Sequence, residues 1–170
     1  FGQVFGFNDQ KGMSEGIRGP VSIQSAFSVC PVVIDSMQIT KSVNGAGKGK
    51  ASDTMGMKHK VTSAMYVAKG SINHQLAQKT GFTDEDAEKI KEALRTLFVN
   101  DASAARPDGS MEVCKVYWWR HNCPMGQYSS AKVHRSLKIS ANTELPKCFE
   151  DYSITVEALD GLEPEVIEGV

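Results

Sequence analysis

The segment "TDEDAEKIKEALRTLF" (Thr83 to Phe98) constrains the fold more than any other part of this chain. Thr83 is a favoured helix-capping type, and Asp84, Glu85 and Asp86 fill the first turn, where unpaired N–H groups carry partial positive charge. Thr83 with Asp86 approximates a capping box. Ile90, Ala93, Leu94, Leu97 and Phe98 recur at helical spacing, so the pattern predicts a helix over 83–98 with one face on a core. A helix with a single apolar stripe needs another layer to pack on.

Strand patterns flank it on both sides. Upstream, Val21, Ile23, Ser25, Phe27 and Val29 alternate with Ser22, Gln24, Ala26 and Ser28 between Pro20 and Pro31, the period of a strand. "MQITKSV" (37–43) and "KHKVTSAMYVAKGSI" (58–72) read as two further strands joined by a glycine-rich, lysine-rich loop. A short helix over 73–79 stops at Gly81, a suitable left-handed cap. Downstream, "MEVCKVYWWRH" (111–121), "KVHRSLKIS" (132–140) and "DYSITVEAL" (151–159) read as strands, the last with Tyr152, Ile154, Val156 and Ala158 inward. Strands, helices and strands again predict an α+β domain with an antiparallel sheet. A chain of 170 residues fits one domain, and its 41% apolar and 23% charged composition is ordinary for a globular protein.

The loop "NGAGKGKASDTMGMKHK" (44–60) resembles a phosphate cradle but fails at both ends. A P-loop needs Gly at the start and Ser or Thr after its Gly-Lys. Here those positions hold Asn44 and Ala51. What remains is a flexible basic projection: Lys48, Lys50, Lys58 and Lys60 to meet phosphates and His59 as a further phosphate contact. Met55 and Met57 either wedge between bases or ride on a solvated loop.

The net charge is −1, but the signs are segregated. From residue 11 to 75 Lys11, Arg18, Lys41, Lys48, Lys50, Lys58, Lys60 and Lys69 face only Glu15, Asp35 and Asp53. A second basic region holds Lys115, Arg120, Lys132, Arg135 and Lys138, and every charge from Glu150 onward is acidic. This distribution fits nucleic acid on one surface and an acidic tail held away from it.

Other chemistries find less support. The cysteines, Cys30, Cys114, Cys123 and Cys148, include no Cys-x-x-Cys pair, which favours reduced, mostly buried thiols over a metal site or any cofactor. His121 and His134 fit ordinary hydrogen bonding, and Trp118 and Trp119 fit core packing better than base stacking. No Gly-x-Ser-x-Gly elbow occurs, no apolar run approaches the ~20 residues of a membrane span, and no signal-peptide pattern is present. A cytoplasmic location is expected.

In order along the chain, "FGQVF", "GIRGPVSIQSAFSVCPV", "MQITK", "DTMGMKHKV", "YVAKGSIN", "KTGFTDEDAEKIKEAL" and "NDASAARP" resemble the Csd-type backbone subunit of type I-C CRISPR Cascade complexes. The resemblance implies a modified RNA-recognition-motif (ferredoxin-like) palm over 1–170, with a thumb-like insertion at about 37–61. It also implies that the palm's first strand and helix precede Phe1. Copies would assemble head to tail along one CRISPR RNA with other Cascade subunits, holding the guide while base pairing reads target DNA. By the same resemblance Arg18 and Gly19 approach the RNA backbone, Lys41, Lys58 and His59 lie near the guide, and Arg106 sits at the palm rim. Catalysis is not implied, and Asp35 and Asp53 become turn or cap residues. Two alternatives stand beside this reading: an RNA-processing endonuclease, motivated by the neighbouring Lys58 and His59, and a structural self-association module.

Overall fold

The computed structural model describes residues 1–6, 14–40 and 55–170. The leading strands are β1 (Gly2–Gly6), β2 (Ser14–Arg18), β3 (Val21–Ile23), β4 (Phe27–Ser28) and β5 (Ile34–Thr40). The returning strands are β6 (Met55–Val61), β7 (Tyr66–Val67) and β8 (Gly70–Ile72), followed by helices α1 (His74–Thr80) and α2 (Asp84–Arg95). Strand β9 (Lys115–Trp119), helix α3 (Ser130–Ser136), and strands β10 (Leu137–Ala141), β11 (Tyr152–Val156) and β12 (Pro164–Glu168) complete the order. The strands pair two by two, β1 with β2, β3 with β8, β4 with β7, β5 with β6, β9 with β12 and β10 with β11. The architecture is α+β with small antiparallel sheets, as expected, and is compatible with a palm of the RNA-recognition type.

Two compact units share these elements. One comprises Phe1–Ser25, Ala68–Lys138 and Ile154–Val170, the other Ala26–Val67 and Ile139–Ser153.

The alternating run from Val21 to Val29 does not form one strand. From the pair Ile23↔Gly70 to the pair Phe27↔Val67 the leading segment advances four residues and the returning one three. Between Ser28↔Tyr66 and Ile34↔Val61 the leading segment again uses one residue more. An extra residue on one strand breaks the ladder and exchanges the faces of everything beyond it. Alternation in sequence survives such a shift locally but no longer marks one continuous face.

In the first unit α2 forms as expected at its N-terminus. The Thr83 hydroxyl accepts the Asp86 N–H at 3.2 Å, and the Asp86 carboxylate accepts the Thr83 N–H at 2.9 Å, completing the capping box. Gly81 caps α1 with φ 72°, where a side chain would be strained. The helix ends at Arg95 rather than Phe98, with Thr96 as its C-cap, whose N–H and hydroxyl both donate to the Glu92 carbonyl. Its inward face also differs from expectation. Ala93 and Leu97 are exposed, while Lys91 is buried. The ammonium of Lys91 reaches Glu165 at 2.7 Å and Glu88 at 2.8 Å, and lies 5.4 Å from the centre of the Trp118 ring. A long cationic stem covers apolar surface in this way while its charge stays paired.

Residues 132–136 are helical, contrary to the strand expected over 132–140. Ser129 caps α3 by accepting the Lys132 N–H, and Val133 is buried with Ser136 three residues on. Val133 and Leu137 are four residues apart, a spacing that fits a helix as well as a strand face. From Leu137 the strand pattern holds, with Leu137 and Ile139 turned inward. The last apolar cluster also differs from expectation. Val156 and Ala158 are exposed, and Leu159 and Leu162 pack with Val133 against Trp119 and Tyr128. The tail then forms β12, opening on Pro164, a position where a missing N–H is tolerated. Two of the four free cysteines, Cys123 and Cys148, are exposed, against the expectation of mostly buried thiols.

Two outcomes follow. Thr83→Ala should lower stability by about 1 kcal/mol in a denaturant titration. The Asp86 carboxyl is held below its usual range, first by the Thr83 N–H and then by the Thr83 hydroxyl. That contribution is present above the unfolded carboxylate pKa and lost as pH falls through the lowered folded value, so the gap between wild type and variant should narrow in acid. At Lys91, Lys91→Ala should lose about 2 kcal/mol of stem packing, whereas Lys91→Met should stay close to wild type in the same titration. The Lys91 ammonium titrates above its usual range, chiefly through Glu165 and then Glu88. Its ionic contribution is complete below the unfolded lysine pKa and disappears as pH rises through the raised folded one.

Candidate nucleic-acid interface

Strands β5 and β6 carry most of the described candidate residues. They pair from Ile34↔Val61 through Asp35↔Lys60, Ser36↔His59, Met37↔Lys58, Gln38↔Met57 and Ile39↔Gly56 to Thr40↔Met55. Successive side chains on a strand point to opposite faces. One face therefore holds Met55, Met57 and His59 with Ile34, Ser36, Gln38, Thr40 and Val61. The other holds Lys58 and Lys60 with Asp35, Met37, Ile39 and Gly56.

The two faces differ in chemistry. On the first, the Ser36 hydroxyl and His59 Nδ1 lie 2.8 Å apart, and the Gln38 amide donates to the Met55 sulfur at 2.6 Å. On the second, Lys60 meets Asp35 at 3.4 Å, and Lys58 makes no ion pair among the described residues. Asp35 is thus a mid-strand partner of Lys60, not the turn or cap residue expected. Met55 is 63% exposed and Met57 55%, so neither joins the chain's own core among the described residues. Lys58 and His59, adjacent in sequence, point to opposite faces and cannot act together on one phosphate. Lys41, Lys48, Lys50 and Asp53 lie outside the described residues.

In the first unit, exposed Arg18 ends β2 opposite Gly2, with no ion pair among the described residues. Gly19 is buried, its N–H donating to the Phe1 carbonyl at 2.9 Å. A Cβ at Gly19 would lie 2.4 Å from the Phe1 carbonyl carbon, so the chain's own close approach already requires glycine there. Arg106 pairs with Asp101 and lies 5.7 Å from the centre of the Phe98 ring. It would have to exchange Asp101 for a phosphate to bind one.

The second basic region is largely paired within the same unit. Lys115 meets Glu168 at 2.7 Å, Arg120 meets Asp84 at 3.0 Å, Lys138 meets Glu157, and Lys132 lies 4.3 Å from the centre of the Tyr128 ring. Glu168 is the first cause of an upward shift of the Lys115 ammonium. The acidic tail therefore neutralises basic residues of its own unit. Trp119 packs on the Val133–Leu159–Leu162 cluster, and Trp118 lies beneath Lys91. His121 Nδ1 accepts the Gln127 N–H at 3.0 Å, and the His134 ring lies 3.0 Å from the Gly70 carbonyl.

Sequence reasoning did not find the cavity in the second unit. It encloses about 170 Å³, lined among others by Cys30, Val33, Met65, Leu145, Pro146 and Tyr152. Its walls come from three separated segments, and no local motif marks them. The Tyr152 hydroxyl accepts the Met65 N–H at 3.3 Å, and the Ser63 hydroxyl donates to the Lys147 carbonyl at 3.1 Å, tying two of those segments together. Beside it the Asp151 carboxylate is held below its usual range, first by the Lys147 N–H, and the Cys148 thiol is pushed up, first by Asp151. A raised thiol is a poor nucleophile at neutral pH. Among the described residues no helix is long and apolar enough to cross a membrane.

The family model of the CRISPR-associated protein Cas7 matches residues 1–157 of the chain. A search of curated proteins finds no match. The match covers nearly all of the chain, including β5, β6 and every candidate residue, and stops one residue past β11. The chain therefore belongs to the CRISPR-associated protein Cas7 family and is a CRISPR-associated backbone protein of a Cascade-like complex.

Proposed function

We propose that this chain is a non-catalytic CRISPR RNA-binding backbone subunit of a type I-C, Csd-type Cascade complex in antiviral defence. Copies assemble head to tail along one guide RNA in the cytoplasm, alongside other Cascade subunits, and hold the guide for pairing with target DNA. The thumb-like insertion corresponds to the β5–β6 ribbon and the residues between its strands.

One observation carries this reading: a two-stranded ribbon with both faces exposed, Lys58 and Lys60 with Asp35, Met37 and Ile39 on one and Met55, Met57 and His59 on the other. Lysines along a strand suit a phosphate backbone, which every RNA sequence presents alike. Apolar side chains on the opposite face suit displaced bases or a neighbouring subunit. Arg18, in the other unit, also makes no ion pair among the described residues. Lys60 shares the lysine face, and on the same reading Lys41, Lys48, Lys50, Gly19 and Arg106 are assigned RNA contacts. The opposed faces of Lys58 and His59 remove the pair that would favour RNA cleavage.

The test is binding of the full chain to an unrelated single-stranded RNA and to a CRISPR repeat–spacer RNA across a salt series. Both should bind alike and steeply salt-dependently. Lys58→Glu should weaken both equally and flatten the slope by about 0.7 for each phosphate that is no longer neutralised. Weakening confined to one RNA, or no binding at low salt by folded protein, would overturn the reading.

A further inference from the structure

Gly56 is the second residue of β6, a position for which nothing among the described residues requires glycine. Glycine in a strand interior weakens the strand and leaves nothing to pack. At two other positions the chain's own backbone requires glycine: a Cβ at Gly19 would strike Phe1, and one at Gly70 would lie 2.9 Å from the Ser22 carbonyl, whereas Gly16 in β2, like Gly56, meets no such neighbour among the described residues. At Gly56 a Cβ would meet, among the described residues, only the Ile39 side chain at 3.5 and 3.8 Å, which is ordinary contact. Its φ is not among the positive ones. Neither crowding among the described residues nor backbone conformation accounts for it.

Gly56 shares its face with Lys58 and Lys60, which follow at intervals of about 6.8 Å along the strand. Lys58 makes no ion pair among the described residues, and the Lys60 side chain is half exposed beside Asp35. On this face Lys60 stands opposite Asp35, Lys58 opposite Met37 and Gly56 opposite Ile39, so two cations on β6 lead to a bare stretch of peptide beside Ile39. Such a surface fits a chain of regularly spaced anions that must come close to the protein backbone.

We propose that Gly56 is the point of closest approach of a single-stranded RNA sugar–phosphate backbone on the Lys58 and Lys60 face of the ribbon. The position lacks a side chain for the ligand rather than for the fold. This rests on the RNA-binding reading above and adds to it which face meets the RNA backbone and which position limits the approach.

The experiment compares wild type, Gly56→Ala and Gly56→Val as full chains, measuring poly(U) affinity by fluorescence anisotropy and the melting temperature of each. Gly56→Ala should keep or raise the melting temperature while weakening poly(U) binding by about tenfold, the scale of one added methylene in a fitted contact. Gly56→Val should weaken it further. Wild-type affinity in both variants, with wild type itself binding, would overturn the proposal and leave the RNA-binding reading intact. A lower melting temperature for Gly56→Ala would also overturn it, by showing that the chain itself needs the glycine. Folded wild type that fails to bind poly(U) at low salt would remove the RNA-binding reading and this proposal with it.

Discussion

A two-stranded ribbon is marginal in water unless a layer covers one of its faces, yet every sheet among the described residues is a single pair of strands. Backbone pairing between segments distant in sequence is the interaction that the remaining structure hangs on. It brings β3 to β8, β4 to β7 and β5 to β6, nested about the segment between residues 40 and 55. Where cover exists it is local. Helix α2 lies against β9, and Val133, Leu159 and Leu162 close on Trp119 and Tyr128. On β5 and β6 no such layer appears among the described residues, and Ile34, Ile39, Met55 and Met57 are left largely exposed.

Charge is divided by the same logic. In the first unit the acidic tail folds back as β12 and its carboxylates meet Lys91 and Lys115, while Glu157 takes Lys138. Exposed pairs of this kind add little stability, but they hold cations that would otherwise offer themselves to a polyanion. Lys58 and Arg18 have no such partner among the described residues. Fewer cations are therefore available to a ligand than the composition suggests.

Legibility followed the range of the interactions concerned. The α2 cap was readable because Thr83 and Asp86 lie within one turn, and Gly81 because a left-handed residue serves its own backbone. The stripe of α2 was misplaced because burial of Lys91 depends on Glu165 and Trp118, both far along the chain. The sequence over α3 reads equally as a strand because Val133 and Leu137 satisfy both periods, and the Ser129 cap is what marks it as a helix. The ribbon's position was legible near Met37 and Lys58, and its composition marked it as basic. Which residues share a face was not drawn from the text, although strand alternation alone separates Lys58 from His59.

By itself the sequence determined the local elements: a capped helix, glycine stops, β-rich runs and a basic stretch with too few counter-charges. Each rests on interactions between residues a few positions apart, which composition and spacing report directly. Only the tertiary structure decided the one-residue slips between successive strand pairs, the neutralisation of the second basic region and the burial of a lysine within α2. It also decided the register that sets Gly56 beside Ile39 and Lys58 beside Met37. These are matters of register and of partners tens of residues away. A strand's alternation says which side chains are alike in direction, but only its pairing partner says what they face.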